Sequence, residues 1–140
     1  MALVPLAGNK AKVTLATTTV LGIGNWKLNG ITVDLLETTS FGDTAKGFIT
    51  GLLDYGSVTF GGIYDVADST GQTLLASACD NNSKISVLRL YVNNTSYWCP
   101  DTTTLATAGV YVQSYSIGFD KAGLGTIEFT AKATGPFKLI

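Results

Sequence analysis

Short alternations of apolar and polar residues, each ended by glycine or asparagine, are the feature that most constrains the fold of this chain. In the clearest one, residues 126–133, Ile127, Phe129 and Ala131 are separated by threonine and charged residues. A period of two is typical of a β-strand with one buried face. Threonine favours strands and glycine favours turns, and the 140 residues include 20 threonines and 16 glycines. The pattern predicts one mainly β domain over residues 1–140, a sandwich or barrel of about seven strands with one α-helix.

The same patterns place the individual elements. A hairpin is expected across 25–37, because Asn29-Gly30 is a strong signal for a two-residue turn. One helix is expected over 72–78, with Asp68 or Ser69 as its cap. The other strands are expected at 13–20, 57–60, 84–92, 96–98, 110–119 and 126–133.

Two details concern the faces of these strands. Gly61-Gly62 suggests a β-bulge. Strict alternation over 110–119 puts alternate side chains on opposite faces, with Val112, Ser114 and Ser116 facing away from Tyr111, Gln113 and Tyr115.

Residues 38–56 are expected to form a long loop, because they lack the alternation of a strand. Its apolar residues are Phe41, Phe48, Ile49, Leu52, Leu53 and Tyr55. A loop in contact with solvent alone would be more polar. We therefore expect this loop to be covered, either by another subunit or by folding back onto the core of its own chain.

Charged residues are scarce in the sequence. They make up 14% of the chain, against about 25% in soluble domains, and the net charge is −1. The near balance argues against a general nucleic-acid binder, which needs many lysine and arginine contacts to phosphate. The apolar content, with a mean hydropathy of +0.30, argues against disorder. A surface so short of charge is expected to face other protein.

No stretch approaches the roughly 18 consecutive apolar residues of a membrane-spanning helix. Residues 1–8 have no basic segment before their apolar residues, so a signal peptide is not expected. The chain is expected to be soluble, to be synthesised in the cytoplasm and to make no membrane contact.

The sequence contains no histidine, which excludes His-based catalytic triads and histidine metal ligands. Gly22-Ile-Gly24 lacks the third glycine and the following helix of a dinucleotide-binding motif. Asp34 and Glu37 are three apart on a strand and so point to opposite faces, unlike the acid pair of a glycosidase. Cys79 and Cys99 are expected to be buried free thiols. No catalytic residue, cofactor or metal site is predicted, and the chain is not expected to be an enzyme.

One segment carries a resemblance to a known family. Thr38-Thr-Ser-Phe-Gly-Asp-Thr-Ala-Lys-Gly-Phe-Ile-Thr-Gly-Leu-Leu-Asp-Tyr-Gly56, followed by Gly62-Ile-Tyr-Asp65 and Gly71-Gln-Thr-Leu-Leu75, resembles the major tail tube proteins of long, non-contractile-tailed bacteriophages, the siphophage tail tube family. The similarity is good over 28–75 and loose over 108–140, where Thr126–Pro136 is similar to the family's C-terminal pattern. The chain departs from the family at Thr50, where proline is common.

The resemblance implies a structural virion protein in the phage tail, assembled in the host cytoplasm. Subunits would form hexameric rings that stack into a tube, and genomic DNA would pass through its lumen without specific binding. Partners would be a tape-measure protein, a tail terminator and tail-tip proteins. Residues 1–12 would be an N-terminal arm, and the loop 38–56 would contact the next ring through Phe41, Asp43, Lys46, Phe48, Ile49, Leu52, Leu53 and Tyr55.

A lumen for DNA should not be lined by cations, because contacts to phosphate would hold the DNA. The strands 31–37, 57–60, 110–119 and 126–133 are predicted to contribute the lumen, with Asp34 and Glu128 as candidates for a slightly acidic lining. An alternative function is a soluble β-sandwich binding module, adhesin-like or lectin-like. Its carbohydrate platform would be formed by Tyr91, Tyr97 and Trp98.

Overall fold

The computed structural model describes residues 11–140, so most of the predicted arm at 1–12 lies outside the described residues. Lys12 is already the first residue of a strand. The described chain contains one helix, α1 (Gln72–Asp80), and twelve strands: β1 (Lys12–Leu15), β2 (Thr18–Thr19), β3 (Ile23–Asn29), β4 (Thr32–Glu37), β5 (Phe48–Asp54), β6 (Ser57–Ile63), β7 (Lys84–Ile85), β8 (Leu88–Tyr91), β9 (Tyr97–Pro100), β10 (Val110–Gly118), β11 (Thr126–Ala133) and β12 (Phe137–Leu139).

The strands form two five-stranded sheets and one separate pair. Sheet A has the order β12-β9-β8-β1-β2, and sheet B has the order β3-β6-β11-β10-β7. All the pairings are antiparallel. Strands β4 and β5 pair only with each other, and we call this pair the ribbon. The mainly β architecture with one helix that the sequence predicts is therefore confirmed.

The hydrophobic core lies between the two sheets. Val13, Leu88 and Leu90 contribute to it from sheet A, and Phe60 and Phe129 contribute from sheet B with their rings stacked at 5.2 Å. Strand β11 shows the predicted alternation, because Ile127, Phe129 and Ala131 are buried while Glu128 and Lys132 are exposed.

The hairpin predicted across 25–37 is wrong, because β3 and β4 do not pair. Asn29 pairs with Ser57, and Thr32 pairs with Asp54 in the same register. Strands β3 and β4 therefore form one arm of a single long hairpin, and β5 and β6 form the other. The ribbon is the distal half of this hairpin, and the chain reverses at 38–47 instead of at Asn29-Gly30.

Two predicted strands are each divided in two. Residues 13–20 make a tight turn at Ala16, which has φ 56° and whose N–H donates to the Val87 carbonyl at 2.8 Å. Residues 84–92 cross from one sheet to the other, because Ile85 pairs with Val110 in sheet B and Leu88 pairs with Leu15 in sheet A. An apolar run cannot show that its two halves belong to different sheets.

A bulge changes the faces of β10. The register shifts between Val112 and Ser114, so strict alternation is wrong beyond Val112. Tyr115 packs towards Phe129, while Ser114 and Ser116 pair with Thr130 and Glu128. The bulge expected at Gly61-Gly62 is found instead on the paired strand β3, where the register with β6 shifts between Ile23 and Asn25.

Helix α1 begins at a buried polar junction. The N-cap residue is Gly71, so the prediction of Asp68 or Ser69 at that position is wrong. Asp68 lies three residues earlier, and its Oδ2 accepts hydrogen bonds from the Gln72 N–H at 3.1 Å and from the Leu21 N–H at 2.9 Å. The Gln72 side chain donates to the carbonyls of Leu21 and Ile63 and accepts from the Asp65 N–H. One amide side chain thus joins the turn before β3, the end of β6 and the helix.

Replacing Gln72 with Leu is expected to destabilise the fold by about 2 kcal/mol, because it leaves two carbonyls and one N–H without a partner in a site that is 1% exposed. Chemical denaturation measures the difference. The control is Thr73→Leu at the adjacent exposed position, which should change the free energy of unfolding by less than about 0.5 kcal/mol. Equal stability of the two variants would contradict the role of the Gln72 side chain as a buried hydrogen-bonding partner of these backbone groups.

Cys79 and Cys99 are free thiols, as predicted, but they are half-buried instead of buried. Burial raises the pKa of the Cys99 thiol, although the nearby Lys138 and Arg89 oppose that shift.

Candidate functional site

The ribbon exposes a large apolar surface. Every residue of β4 is exposed, and in β5 only Gly51 is half-buried. Leu36 lies opposite Ile49 and Val33 lies opposite Leu53, so these apolar side chains form cross-strand pairs. Leu52 is 81% exposed. A two-stranded ribbon is marginal by itself in water, and exposed apolar patches of this kind mark surfaces that bind other protein.

The tip of the ribbon is a compact turn with Phe41 at its end. The Ser40 N–H donates to Asp43 Oδ2 at 2.7 Å, and the Asp43 N–H donates back to the Ser40 carbonyl. Gly42 between them has φ 90°, a conformation that glycine adopts without strain. Phe41 is fully exposed. The Gly-Asp pair of the family-like segment therefore shapes a turn that presents an aromatic side chain.

The base of the ribbon is held to sheet B by one ion pair and one backbone hydrogen bond. The Asp54 carboxylate pairs with Lys132 on β11 and accepts the Gly56 N–H at 2.9 Å. The Gly56 carbonyl accepts the Ala133 N–H at 3.0 Å. Gly56 has φ 89°, and a Cβ atom there would lie 1.9 Å from the Asn29 carbonyl oxygen, so only glycine fits. These contacts fix where the ribbon leaves the sheet.

The hydrogen bond from Lys132 lowers the pKa of Asp54, and the Gly56 N–H lowers it further. A lowered pKa means that the ion pair is complete above the ordinary carboxyl range and is lost as the pH falls through the lowered value. In a Lys132→Met variant the pKa of Asp54 should rise towards its ordinary value of 3.8. An NMR titration of the carboxyl carbon measures it. Lys121→Met, a change at an exposed turn lysine, is the control and should leave the pKa of Asp54 unchanged. If the pKa of Asp54 is the same in the unaltered protein and in both variants, the ion pair between Asp54 and Lys132 is ruled out.

The predicted contact residues divide into three groups. Phe41, Asp43 and Lys46 lie at the tip, and Phe48, Ile49, Leu52 and Leu53 lie on β5.

 Asp43 and Lys46 are both exposed, and Asp43 closes the tip turn by accepting the Ser40 N–H. Tyr55 differs from the others, because it is half-buried against the core. Apart from Tyr55, the apolar residues of 38–56 do not fold back onto their own core. The structure also replaces the predicted long loop by a strand at 48–54 and a shorter turn at 38–47.

The two candidate lumen residues lie on different elements. Glu128 is on β11 in sheet B, whereas Asp34 is on the ribbon. Of the four strands predicted to share the lumen, those at 57–60, 110–119 and 126–133 are neighbours in sheet B, and the one at 31–37 is not in that sheet.

The face of sheet B that points away from the core is polar. Thr59 and Thr130 occupy its centre, with Lys27 beside Thr59 and Ser116 beside Glu128. Lys132 is also on this face and is paired with Asp54. The face therefore carries charges of both signs among hydroxyl and amide groups.

The aromatic platform of the alternative function does not form. The rings of Tyr91 and Tyr97 pack against each other at 4.9 Å, with Lys12 Nζ 4.6 Å from the Tyr91 centroid and the Arg89 guanidinium 4.7 Å from that of Tyr97. Trp98 packs against the core instead. Cations therefore occupy the ring faces that a sugar would need.

Sequence reasoning missed an apolar cavity of about 460 Å³ between the edge of sheet B and sheet A. We call it the aromatic cavity. The residues that line it come from β3, β9, β12 and the base of the ribbon, so no local pattern could have revealed it. They are Trp26, Leu28, Gly30, Ile31, Tyr55, Trp98 and Phe137.

Comparison with known proteins gives a match in structure alone. No protein-family model and no curated protein matches the chain. Among solved structures, it is similar to a chain from the tail of an empty gene transfer agent particle with C6 symmetry, with a TM-score of 0.73 and 10% identity over 97% of this chain and 99% of that one. The chain has the tail tube fold.

Two other solved structures, from different particles, are also similar to this chain. One is the tube-terminating cap of the anti-feeding prophage, with a TM-score of 0.70 and 12% identity over 100% of this chain and 93% of that one. The other is the SPP1 tail tube, with a TM-score of 0.57 and 14% identity over 96% of this chain and 78% of that one. The fold expected from the family resemblance is thus confirmed.

Within residues 11–140, no helix is long and apolar enough to cross a membrane. The same part of the chain contains no group of three or more acidic or cysteine side chains placed to hold a metal ion.

Proposed function

We propose that this chain is the structural subunit of a phage-like tail tube, and that it polymerises as stacked hexameric rings. The observation that carries the proposal is the fold, which matches chains of tail and tube assemblies over nearly its whole length. The family-like segment at 38–56 favours tubes of non-contractile tails. Tail terminator, tail-tip and tape-measure proteins would be its partners, and the tube would conduct genomic DNA into the host.

The ribbon supports this proposal because it presents an apolar surface that the rest of residues 11–140 leaves uncovered. In a stack of rings, the ribbon would project from sheet B and pack its apolar side chains against the next ring. A heterologous contact of this kind does not close on itself, so it extends an assembly along one axis. The tip residues Phe41, Asp43 and Lys46 would lie deepest in that contact.

The polar face of sheet B is the proposed lumen wall, with Glu128 on it. Hydroxyl and amide groups offer DNA no strong ionic contact, and the pairing of Lys132 with Asp54 offsets one of the two lysines. Asp34 is on the ribbon, so it would face the lumen only if the ribbon also forms part of the lumen wall. A wall of this composition would allow DNA to pass without holding it.

Electron microscopy of the purified full chain tests the proposal. We expect rings with six subunits, or tubes built from them. A chain that sediments as a monomer at every concentration, and binds an immobilised glycan, would overturn the proposal in favour of the binding module.

A further inference from the structure

The aromatic cavity opens at the base of the ribbon. Gly30 and Ile31 come between β3 and β4, and Tyr55 comes between β5 and β6, so these three lining residues belong to the junction from which the ribbon projects. Trp26 and Trp98 add walls from β3 and β9, and both are half-buried. None of the residues that line the cavity is charged. Such a site suits an apolar side chain, above all an aromatic one.

Phe41, at the other end of the ribbon, is an aromatic ring that the described residues leave uncovered. It is fully exposed. Phe119, the next most exposed phenylalanine of the chain, differs because its ring packs edge-on against Tyr64 at 5.7 Å. A projecting aromatic side chain is typical of the residues that anchor a protein interface.

The tip of the ribbon holds Phe41 in place before any contact forms. The Thr38 N–H donates to the Gly47 carbonyl at 2.8 Å, and the Gly47 N–H donates to Thr39 Oγ1 at 3.1 Å. These hydrogen bonds add to those that close the turn around Gly42. A side chain that an ordered turn presents loses little conformational freedom when a partner buries it.

The ring of Phe41 cannot enter the cavity of its own chain. Strand β4 has six residues, which span about 20 Å. Its pairing with β5 keeps the ribbon extended, so the tip and the cavity lie at opposite ends of one element. A contact between them therefore needs two copies, with the tip of one at the ribbon base of the other.

The size and the charge of the cavity both fit this ring. A cavity of about 150 Å³ holds a benzene ring, and the aromatic cavity measures about 460 Å³. Asp43 and Lys46 are exposed in the turn and have opposite charges, so they would stay at the mouth of the cavity in contact with water. The ring would then enter the apolar site without taking a charge into it.

We infer that Phe41 of one copy inserts into the aromatic cavity of a second copy, in the next ring of the tube. This inference rests on the proposed function and names the surface that receives the ribbon. Donor and acceptor are different surfaces, so the contact is heterologous, and each copy gives one phenylalanine and receives one. The contact therefore repeats from ring to ring.

Assembly and tryptophan emission of the full chain test the inference, because both tryptophans line the cavity. When the unaltered protein assembles, its emission should shift to the blue and its quenching by acrylamide should fall. Phe41→Ala should raise the lowest concentration at which tubes form by about tenfold or more, because the burial of the ring is lost. Tubes of this variant should lack the blue shift. Thr44→Ala, at an exposed position of the same turn, is the control and should behave like the unaltered protein.

A mixing experiment tests the direction of the contact. Ile31→Glu places a carboxylate at the cavity, and its circular dichroism spectrum should be unchanged because Ile31 is half exposed. At a concentration where neither variant forms tubes, Phe41→Ala retains the cavity and Ile31→Glu retains the ring. Their mixture should form pairs of stacked rings and no longer tubes, because only one of the two possible contacts is intact.

The outcomes separate this inference from the proposed function. If the unaltered protein forms neither rings nor tubes, the proposed function fails and the inference fails with it. If the unaltered protein forms tubes, and Phe41→Ala forms them at the same concentration with the same emission, only the inference is overturned. A blue shift that is complete in separate, unstacked rings would also overturn it, because the cavity would then be filled within one ring.

Discussion

Replacing Leu52 with Asp is expected to abolish tube assembly while leaving a folded monomer. The side chain is 81% exposed, so the fold itself should change in stability by less than about 0.5 kcal/mol. In an assembled tube the same position would be covered by apolar protein, where an unpaired carboxylate costs several kcal/mol. Electron microscopy and sedimentation measure the loss of tubes, and circular dichroism measures the retained fold.

Leu52→Met is the matched control, because it keeps an apolar side chain of similar volume. We expect it to assemble like the unaltered protein. Tubes at normal yield from Leu52→Asp would remove the ribbon from the proposed contact, even if the tube function itself is retained. Phe48→Asp should behave like Leu52→Asp, since both lie on β5.

Replacing Phe129 with Ala is expected to cost about 3–5 kcal/mol of folding free energy. Phe129 is fully buried at the centre of sheet B, and its ring packs against Phe60 and Tyr115. Removal of the ring leaves a cavity that the flanking strands cannot fill. Because the total stability of a domain is about 5–15 kcal/mol, a large part of it would be lost. Chemical denaturation of the monomeric Leu52→Asp background would measure it.

Phe41→Ala is the control for this experiment. Its ring is fully exposed at the ribbon tip, so the same chemical change should alter the free energy of unfolding by less than about 0.5 kcal/mol. A similar cost at both positions would show that the stacked rings of Phe60 and Phe129 are not the centre of the core.

The sequence predicts best where one strand lies in one sheet with one buried face. Strand β11 shows its alternation without interruption, and its bounds are those expected. Alternation fails on β10 because a single extra residue near Gln113 reverses the faces beyond it. Nothing in a run of Val, Ser and Tyr distinguishes a regular strand from a bulged one.

Pairing between residues that are distant in the sequence is the second feature that sequence patterns do not predict. The Asn29-Gly30 signal indicates a turn, yet the register of β3 with β6 and of β4 with β5 carries the chain straight past it. The aromatic cavity likewise joins Trp26 to Trp98 and Phe137, which no local pattern connects. By contrast, the apolar content of 38–56 indicates a segment that must be covered by another subunit or by its own core, and the exposure of Leu52 and Leu53 argues against the second alternative.

The order of the strands has a consequence for synthesis of the chain on the ribosome. Strand β11, at the centre of sheet B, is made after β3, β6 and β10, so sheet B cannot close until residues 126–133 have emerged. The ribbon needs only the local pairing of β4 with β5, and its apolar side chains emerge about seventy residues earlier. A nascent chain therefore exposes this apolar hairpin while most of the residues of its core have not yet been synthesised. Exposed apolar surface at this stage favours aggregation of the growing chain.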